Sequence, residues 1–193
     1  MQGLYRWDMD TFRAVNLGHR SPLLDALFLV LSVTGLGGLE ALVAVCLYPW
    51  PALRRFILPL IVSVAISGLL LADGIKKILP RDRPSNLGVA ITQEDFHHGS
   101  FVSGHTTTAF AFATTLLLMT LGTRRGWVGP LALLWAFGVG VSRVYRGVHW
   151  PSDVLGGAFA GMFGASLVYF VFARRGWLDL DLQRRPASAS AER

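Results

Sequence analysis

The chain is short of charge and almost free of cysteine. Only 16% of its 193 residues are Asp, Glu, Lys or Arg, against about 25% in soluble domains. With 52% hydrophobic residues, that scarcity points to a one-domain membrane protein. The single cysteine, Cys46, excludes an intrachain disulfide. Its place in an apolar run marks it as a small hydrophobe. No Cys ligand, HExxH or paired-Asp pattern is present, so neither a metal nor a cofactor is expected. No basic leader feeds directly into a short apolar core. The first apolar run is therefore expected to stay and insert as a span. The net charge of +6 forms no basic face or arm. Its arginines come largely as pairs between apolar segments, which excludes nucleic acid as a partner and suits an anionic bilayer.

The apolar content falls into six segments, approximately 22–36, 39–50, 56–71, 107–121, 127–141 and 154–173. They predict an all-α fold of six transmembrane helices within residues 1–175. Residues 176–193 read as a disordered cytoplasmic tail. Six passes would put Arg6, Arg13, Arg20, Arg54, Arg55, Arg124, Arg125, Arg174 and Arg175 on one side. The positive-inside rule makes that side, with both termini, cytoplasmic. Lys76, Lys77, Arg81, Arg83, Arg143 and Arg146 would then face outward. Cations on that side oppose the rule, and a bound anion is the simplest cause. Trp50, Trp127 and Trp177 are expected at the inner interface and Trp150 at the outer one. The last segment carries Gly157, Gly161 and Gly164, whose spacing lets another helix of the chain approach closely.

Three blocks carry the chemistry: Lys76-x6-Arg83-Pro84, Ser103-Gly104-His105 and Ser142-Arg143-x5-His149-x3-Asp153. Each lies at the edge of an apolar segment. Ser103 suits a helix N-cap. A helix starting there would aim free N–H groups and its positive end at an anion, with His105 in the first turn. Pro151 suits the first position of the next helix. Asp153 could reach back to His149 and fix its tautomer. The Arg143 fork matches phosphate oxygens. Arg81 and Lys77 read as solvated or lipid-facing residues, and Asp73 as a local ion-pair partner of Lys76. Glu40 and Asp25 read as structural. Glu94, Asp95, His97 and His98 read as a polar loop over the site. The set suits cleavage of a phosphate ester at a membrane surface.

These blocks resemble the type 2 phosphatidic acid phosphatase family of membrane lipid phosphatases. That family shares its core with vanadium haloperoxidases. Its pattern is K-x6-R-P, P-S-G-H and S-R-x5-H-x3-D, and the one departure is Val102 where proline is usual. The resemblance implies a phosphohistidine mechanism. His105 would be the nucleophile, and His149, held by Asp153, the acid and base. Lys76, Arg83, Arg143, Ser103 and Gly104 would hold the phosphate. It implies a lipid phosphate substrate, undecaprenyl diphosphate before phosphatidylglycerophosphate or phosphatidic acid. The site would face the outer side of the cell membrane. Phosphotransfer, vanadate-dependent halide oxidation and non-enzymatic lipid binding or translocation remain the other readings.

Overall fold

A computed structural model of the chain describes residues 2–18, 20–95 and 99–178. Among these there is no strand. The expected tail beyond 178, with His97 and His98, lies outside the described residues.

Helix α1 (Gln2–Asn16) buries one stripe, Asp8, Phe12 and Asn16, against the bundle. These positions are four apart and share one helix face. Helix α2 (Pro22–Thr34) starts at the Ser21 cap, whose hydroxyl accepts the Leu24 N–H at 3.3 Å, with Pro22 in its first turn. Helix α3 (Gly37–Val45) follows after a 66° bend. Helix α4 (Arg54–Ala65) runs through a π-helical stretch, Ile66–Ala72, into α5 (Asp73–Ile78). Helices α6 (Gly104–Thr120), α7 (Val128–Tyr145) and α8 (Pro151–Arg174) complete the bundle.

Contacts fix the direction of each helix. Asp25 near the start of α2 accepts a hydrogen bond from Tyr145 Oη, at the end of α7, at 2.8 Å. Ala44 near the end of α3 packs with Phe56, Met119 and Phe172 at the opposite end of the bundle. Helices α2 and α3 therefore make one bent pass. The sequence predicts two passes there, and length explains the difference. Thirteen and nine residues reach roughly 20 and 14 Å at 1.5 Å per residue, and neither crosses ~30 Å of hydrocarbon alone.

Among the described residues, helices run the length of the bundle five times, against the six spans expected. Pro51–Ile78, α7 and α8 are each long and apolar enough to span a membrane, and the bent pair makes a fourth. Helix α6, with 17 residues, runs beside them as the fifth. Large apolar side chains such as Leu69, Leu134, Phe137, Phe159 and Phe163 are exposed around the belt.

The end that holds the three blocks also holds α1. The Ser152 N–H donates to Asp8 Oδ1 at 2.8 Å. The Asn16 side-chain amide donates to Tyr145 O at 2.7 Å and to Ile91 O at 3.0 Å. The described N-terminal helix therefore lies at the site end, and Arg6, Arg13 and Arg20 lie there with it. This corrects the expectation that they join Arg54, Arg55, Arg124, Arg125, Arg174 and Arg175 at the far end. Trp150 also departs from its expected interfacial place. It is buried beneath α1 with its ring 5.3 Å from that of Phe12, and its indole N–H donates to Asp82 O at 2.9 Å.

Small residues bring α8 onto α6, as their spacing predicts. A Cβ on Gly161 would sit 2.2 Å from Thr107 O, and one on Gly157 would sit 2.8 Å from Ser103 O. Contacts that short are impossible, so glycine is required at both. This approach sets the first turns of the two helices side by side, and the Ser103 N–H donates to Asp153 O at 3.1 Å.

Candidate active site

The cavity between the helix ends has a volume of about 300 Å³ and is lined by Asp73, Lys76, Arg83, Gly99, Gly104, His105, Arg143 and His149. All three expected cations and both expected histidines converge here from five segments of the chain. Helix α6 supplies Gly104 and His105 in its first turn, where the positive end of the helix dipole favours an anion. Helix α5 supplies Lys76, whose ammonium lies 3.2 Å from Asp73 Oδ1. It also lies 3.2 Å from where a Cβ on Gly104 would be, so a side chain there would crowd the ammonium.

The turn after α7 delivers His149. Gly147 adopts φ +79°, and a Cβ there would stand 2.7 Å from Ile91 O. That left-handed turn folds the chain back so that the Val148 N–H donates to Arg143 O at 3.2 Å, and His149 joins Arg143 in lining the cavity. Arg83 is buried and donates to Val148 O at 2.9 Å and to Gly99 O at 3.2 Å. Its Nη1 lies 3.1 Å from His149 Nε2. A guanidinium has only donors, so Nε2 is assigned as the acceptor and the ring proton to Nδ1. Nδ1 lies 3.5 Å from Asp153 Oδ2. Burial, aided by Arg83 and Arg143, holds the His149 imidazole down to about 4, against the pull of Asp153. Burial and Arg143 lower Arg83 to about 10, so it stays charged at neutral pH.

Four residues outside the sequence-derived set belong to this framework. Ser100 Oγ donates to Asp153 Oδ2, which also accepts the Trp150 N–H at 2.9 Å. Arg81, expected to be solvated, instead donates to Asp153 Oδ1 at 2.6 Å and to Asp8 Oδ2 at 2.7 Å. Glu94 accepts from both terminal nitrogens of Arg143, at 3.0 and 2.8 Å, and from Arg146 Nε. Burial pushes the Glu94 carboxyl up, but the bonds and charges of Arg143 and Arg146 outweigh it and hold the group at about 2. Ser32 on α2 ties into the same pair, accepting from Arg143 and donating to Glu94 at 3.1 Å. Ser103 differs from its expected place. It is fully buried, its hydroxyl accepts from Thr106 Oγ1 at 2.9 Å, and it does not line the cavity.

A second cleft, of about 450 Å³, meets the first at Asp73, Gly104 and His105. Its walls are Gly35–Gly38 and Ala41 of the bent pass, Ile61 to Leu69 of the long helix, and Thr108. The site thus joins a cationic chamber to an apolar one, with His105 common to both.

The family model described as PAP2 superfamily matches residues 56–177 of this chain. The chain is 35% identical over 142 residues to YbjG of Escherichia coli K12, which carries an undecaprenyl-diphosphatase name. The match covers 70% of this chain and 67% of YbjG. The crystal structure of LpxE from Aquifex aeolicus superposes with a TM-score of 0.73 at 28% identity, over 83% of this chain and 93% of that one. The transmembrane PAP2-type phosphatidylglycerolphosphate phosphatase of Bacillus subtilis has the same fold. Its TM-score is 0.75 at 24% identity, over 90% of this chain and 88% of that one.

Proposed function

Because the chain belongs to the PAP2 superfamily, we propose that this multi-pass membrane phosphatase hydrolyses a lipid phosphate through a phosphohistidine, with undecaprenyl diphosphate as its substrate. The observation that carries the reading is the meeting of the two chambers at His105. A lipid phosphate needs a cationic seat for its head and an apolar path for its chain, and the reacting phosphorus must lie where they join.

In this reading Lys76, Arg83, Arg143 and the first N–H groups of α6 hold the phosphate oxygens. A nitrogen of His105 attacks phosphorus, and the bond to the leaving oxygen breaks. His149 gives that oxygen a proton. It then takes a proton from water, which attacks phosphorus and releases phosphate from His105. The arrival of a phosphate dianion opposes the burial and the arginines that keep His149 neutral, so the substrate itself favours the protonated acid. General acid–base help is worth about 10²–10⁴-fold, and fixed cations at the developing charge supply the larger electrostatic share.

The far end of the bundle carries Arg54, Arg55, Arg124, Arg125, Arg174 and Arg175, with no acid among the described residues there. Five of the site-end cations have acidic partners: Arg20 bonds Asp25, Lys76 bonds Asp73, Arg81 bonds Asp8 and Asp153, and Arg143 and Arg146 bond Glu94. This distribution supports a cytoplasmic far end and an outward-facing site in the cell membrane. YbjG's name supports the choice of undecaprenyl diphosphate, a carrier whose diphosphate is exposed outside.

The test is phosphate release by detergent-purified protein, with kcat/KM compared for undecaprenyl diphosphate, phosphatidylglycerophosphate and phosphatidic acid. A clear preference for the first supports the assignment. A preference for either glycerolipid overturns the substrate. Full turnover by His105→Ala overturns the mechanism.

A further inference from the structure

Helix α1 belongs to none of the three blocks, yet its one buried acid reaches the active site. Asp8 is 1% exposed. Its Oδ1 accepts the Ser152 N–H at 2.8 Å, and its Oδ2 accepts from Ser152 Oγ at 2.6 Å and Arg81 Nη2 at 2.7 Å. The same guanidinium, through Nη1, donates to Asp153 Oδ1 at 2.6 Å and Ser152 Oγ at 2.7 Å. Its plane also lies over the Trp150 ring, 5.5 Å from the centroid. Arg81 grips Asp153 a second way, because its backbone carbonyl accepts the Ser100 N–H at 2.9 Å and the Ser100 hydroxyl donates to Asp153 Oδ2.

We propose that α1 is a positioning element of the catalytic centre, acting through Asp8 and Arg81 on the Asp153–His149 pair. The argument rests on the phosphatase reading above. One guanidinium stands between two buried carboxylates, one on α1 and the other on the carrier of the catalytic imidazole. It fixes the orientation of Asp153 and offsets part of its charge. Asp8 in turn holds Arg81 back from neutralising Asp153 completely. Neither Asp8 nor Arg81 lines the phosphate cavity, so their effect falls on turnover rather than on seating the substrate.

Charge gives the two residues opposite signatures. Without Arg81, the full Asp153 charge acts on His149 and favours the imidazolium. Without the Asp8 charge, Arg81 leans wholly on Asp153 and disfavours it. The other titratable groups around the cavity that His149 lines are Arg83 from the 79–103 segment, Arg143 on α7, His105 on α6, and Lys76 and Asp73 on α5. None of these changes in the Asp8 and Arg81 variants below.

The experiment is kcat and KM against pH for wild type, Asp8→Asn, Arg81→Gln and the conservative Arg81→Lys, with His105→Ala as the inactive control. A misplaced catalytic group costs on the order of a hundredfold. Arg81→Gln is expected to lower kcat by roughly ten- to a hundredfold with KM little changed, and to move the limb set by His149 to higher pH. Asp8→Asn is expected to lower kcat less and move that limb to lower pH. Arg81→Lys keeps the charge but not the fork, and recovers the wild-type pH profile with part of the rate. An active wild type with unshifted profiles in Asp8→Asn and Arg81→Gln, and only a lower melting temperature, makes α1 a structural strut and overturns this inference alone. An inactive, folded wild type overturns the phosphatase reading with it.

Discussion

Arg143 and Glu94 meet fork to fork. Both terminal nitrogens of the guanidinium face both oxygens of the carboxylate, at 3.0 and 2.8 Å, and the arginine side chain is 1% exposed. The acid therefore sets the plane in which an arginine of the cationic cavity is held, and it does so from a loop 49 residues away in sequence.

Removing that acid leaves Arg143 and Arg146 as neighbouring buried cations without their shared partner. Breaking a buried pair from one side costs about 3–5 kcal/mol. Glu94→Ala is expected to lower the melting temperature in detergent by several degrees and kcat by on the order of tenfold or more. Glu94→Gln, which keeps one acceptor, is expected to fall between it and wild type. Thermal unfolding and phosphate release on the same preparations check both. Unchanged values for Glu94→Ala would remove this role.

Acid should destabilise the protein in two stages. The His149 imidazole is held at about 4 against an ordinary 6.5. Its contribution is fully present above 6.5 and is lost as pH falls through 4, because the unfolded chain takes up the proton first. The Glu94 carboxyl, at about 2 against 4.5, contributes above 4.5 and loses that stability toward 2. The melting temperature should fall between pH 7 and 4, then again below. His149→Asn should flatten the first stage and leave the second. A melting temperature flat from pH 7 to 4 in wild type would contradict the burial of a neutral imidazole.

Phosphate release is expected to persist in EDTA, because Lys76, Arg83 and Arg143 supply the positive charge on which phosphoryl transfer depends. Loss on chelation, with rescue by one divalent ion, would reassign that charge.

The apolar cleft should matter only to substrates with a long chain. Ala41 lines it on α3, away from the cationic cavity. Ala41→Phe is expected to raise KM for a polyprenyl substrate by roughly tenfold, the effect of about 1.4 kcal/mol of lost binding. KM for a short, water-soluble phosphate ester should stay as it is. Equal changes in both would mean that the cleft does not carry the chain.

The lining of the cationic cavity was largely legible in the sequence because its groups recur at fixed local spacing. Lys76 and Arg83 bracket one turn, and His149 and Asp153 sit four residues apart at a proline-led helix start. The supporting groups were hidden for the converse reason. Asp8 and Ser152 are 144 residues apart, and Ser100 and Asp153 are 53 apart. No local pattern announces such partners. Arg81 looked like a surface cation because its two acids arrive from opposite ends of the chain. Ser103 had the right residue type, but its buried hydroxyl is taken up by Thr106, a partner three residues on that no spacing rule singles out. The pass count went astray at Gly35–Leu36–Gly37. A glycine-rich break shows that a helix stops, but not whether the chain turns back or carries on.

On the proposed reading, the joining of the two chambers at His105 makes this a catalyst of two dimensions. Substrate would arrive by sliding sideways within a leaflet, and the head group need not leave the surface at any stage. The relevant concentration is therefore the fraction of amphiphiles that are substrate, not moles per litre. Extra detergent at fixed lipid should slow the reaction without touching the protein, and a constant ratio of the two should restore the rate at any total volume.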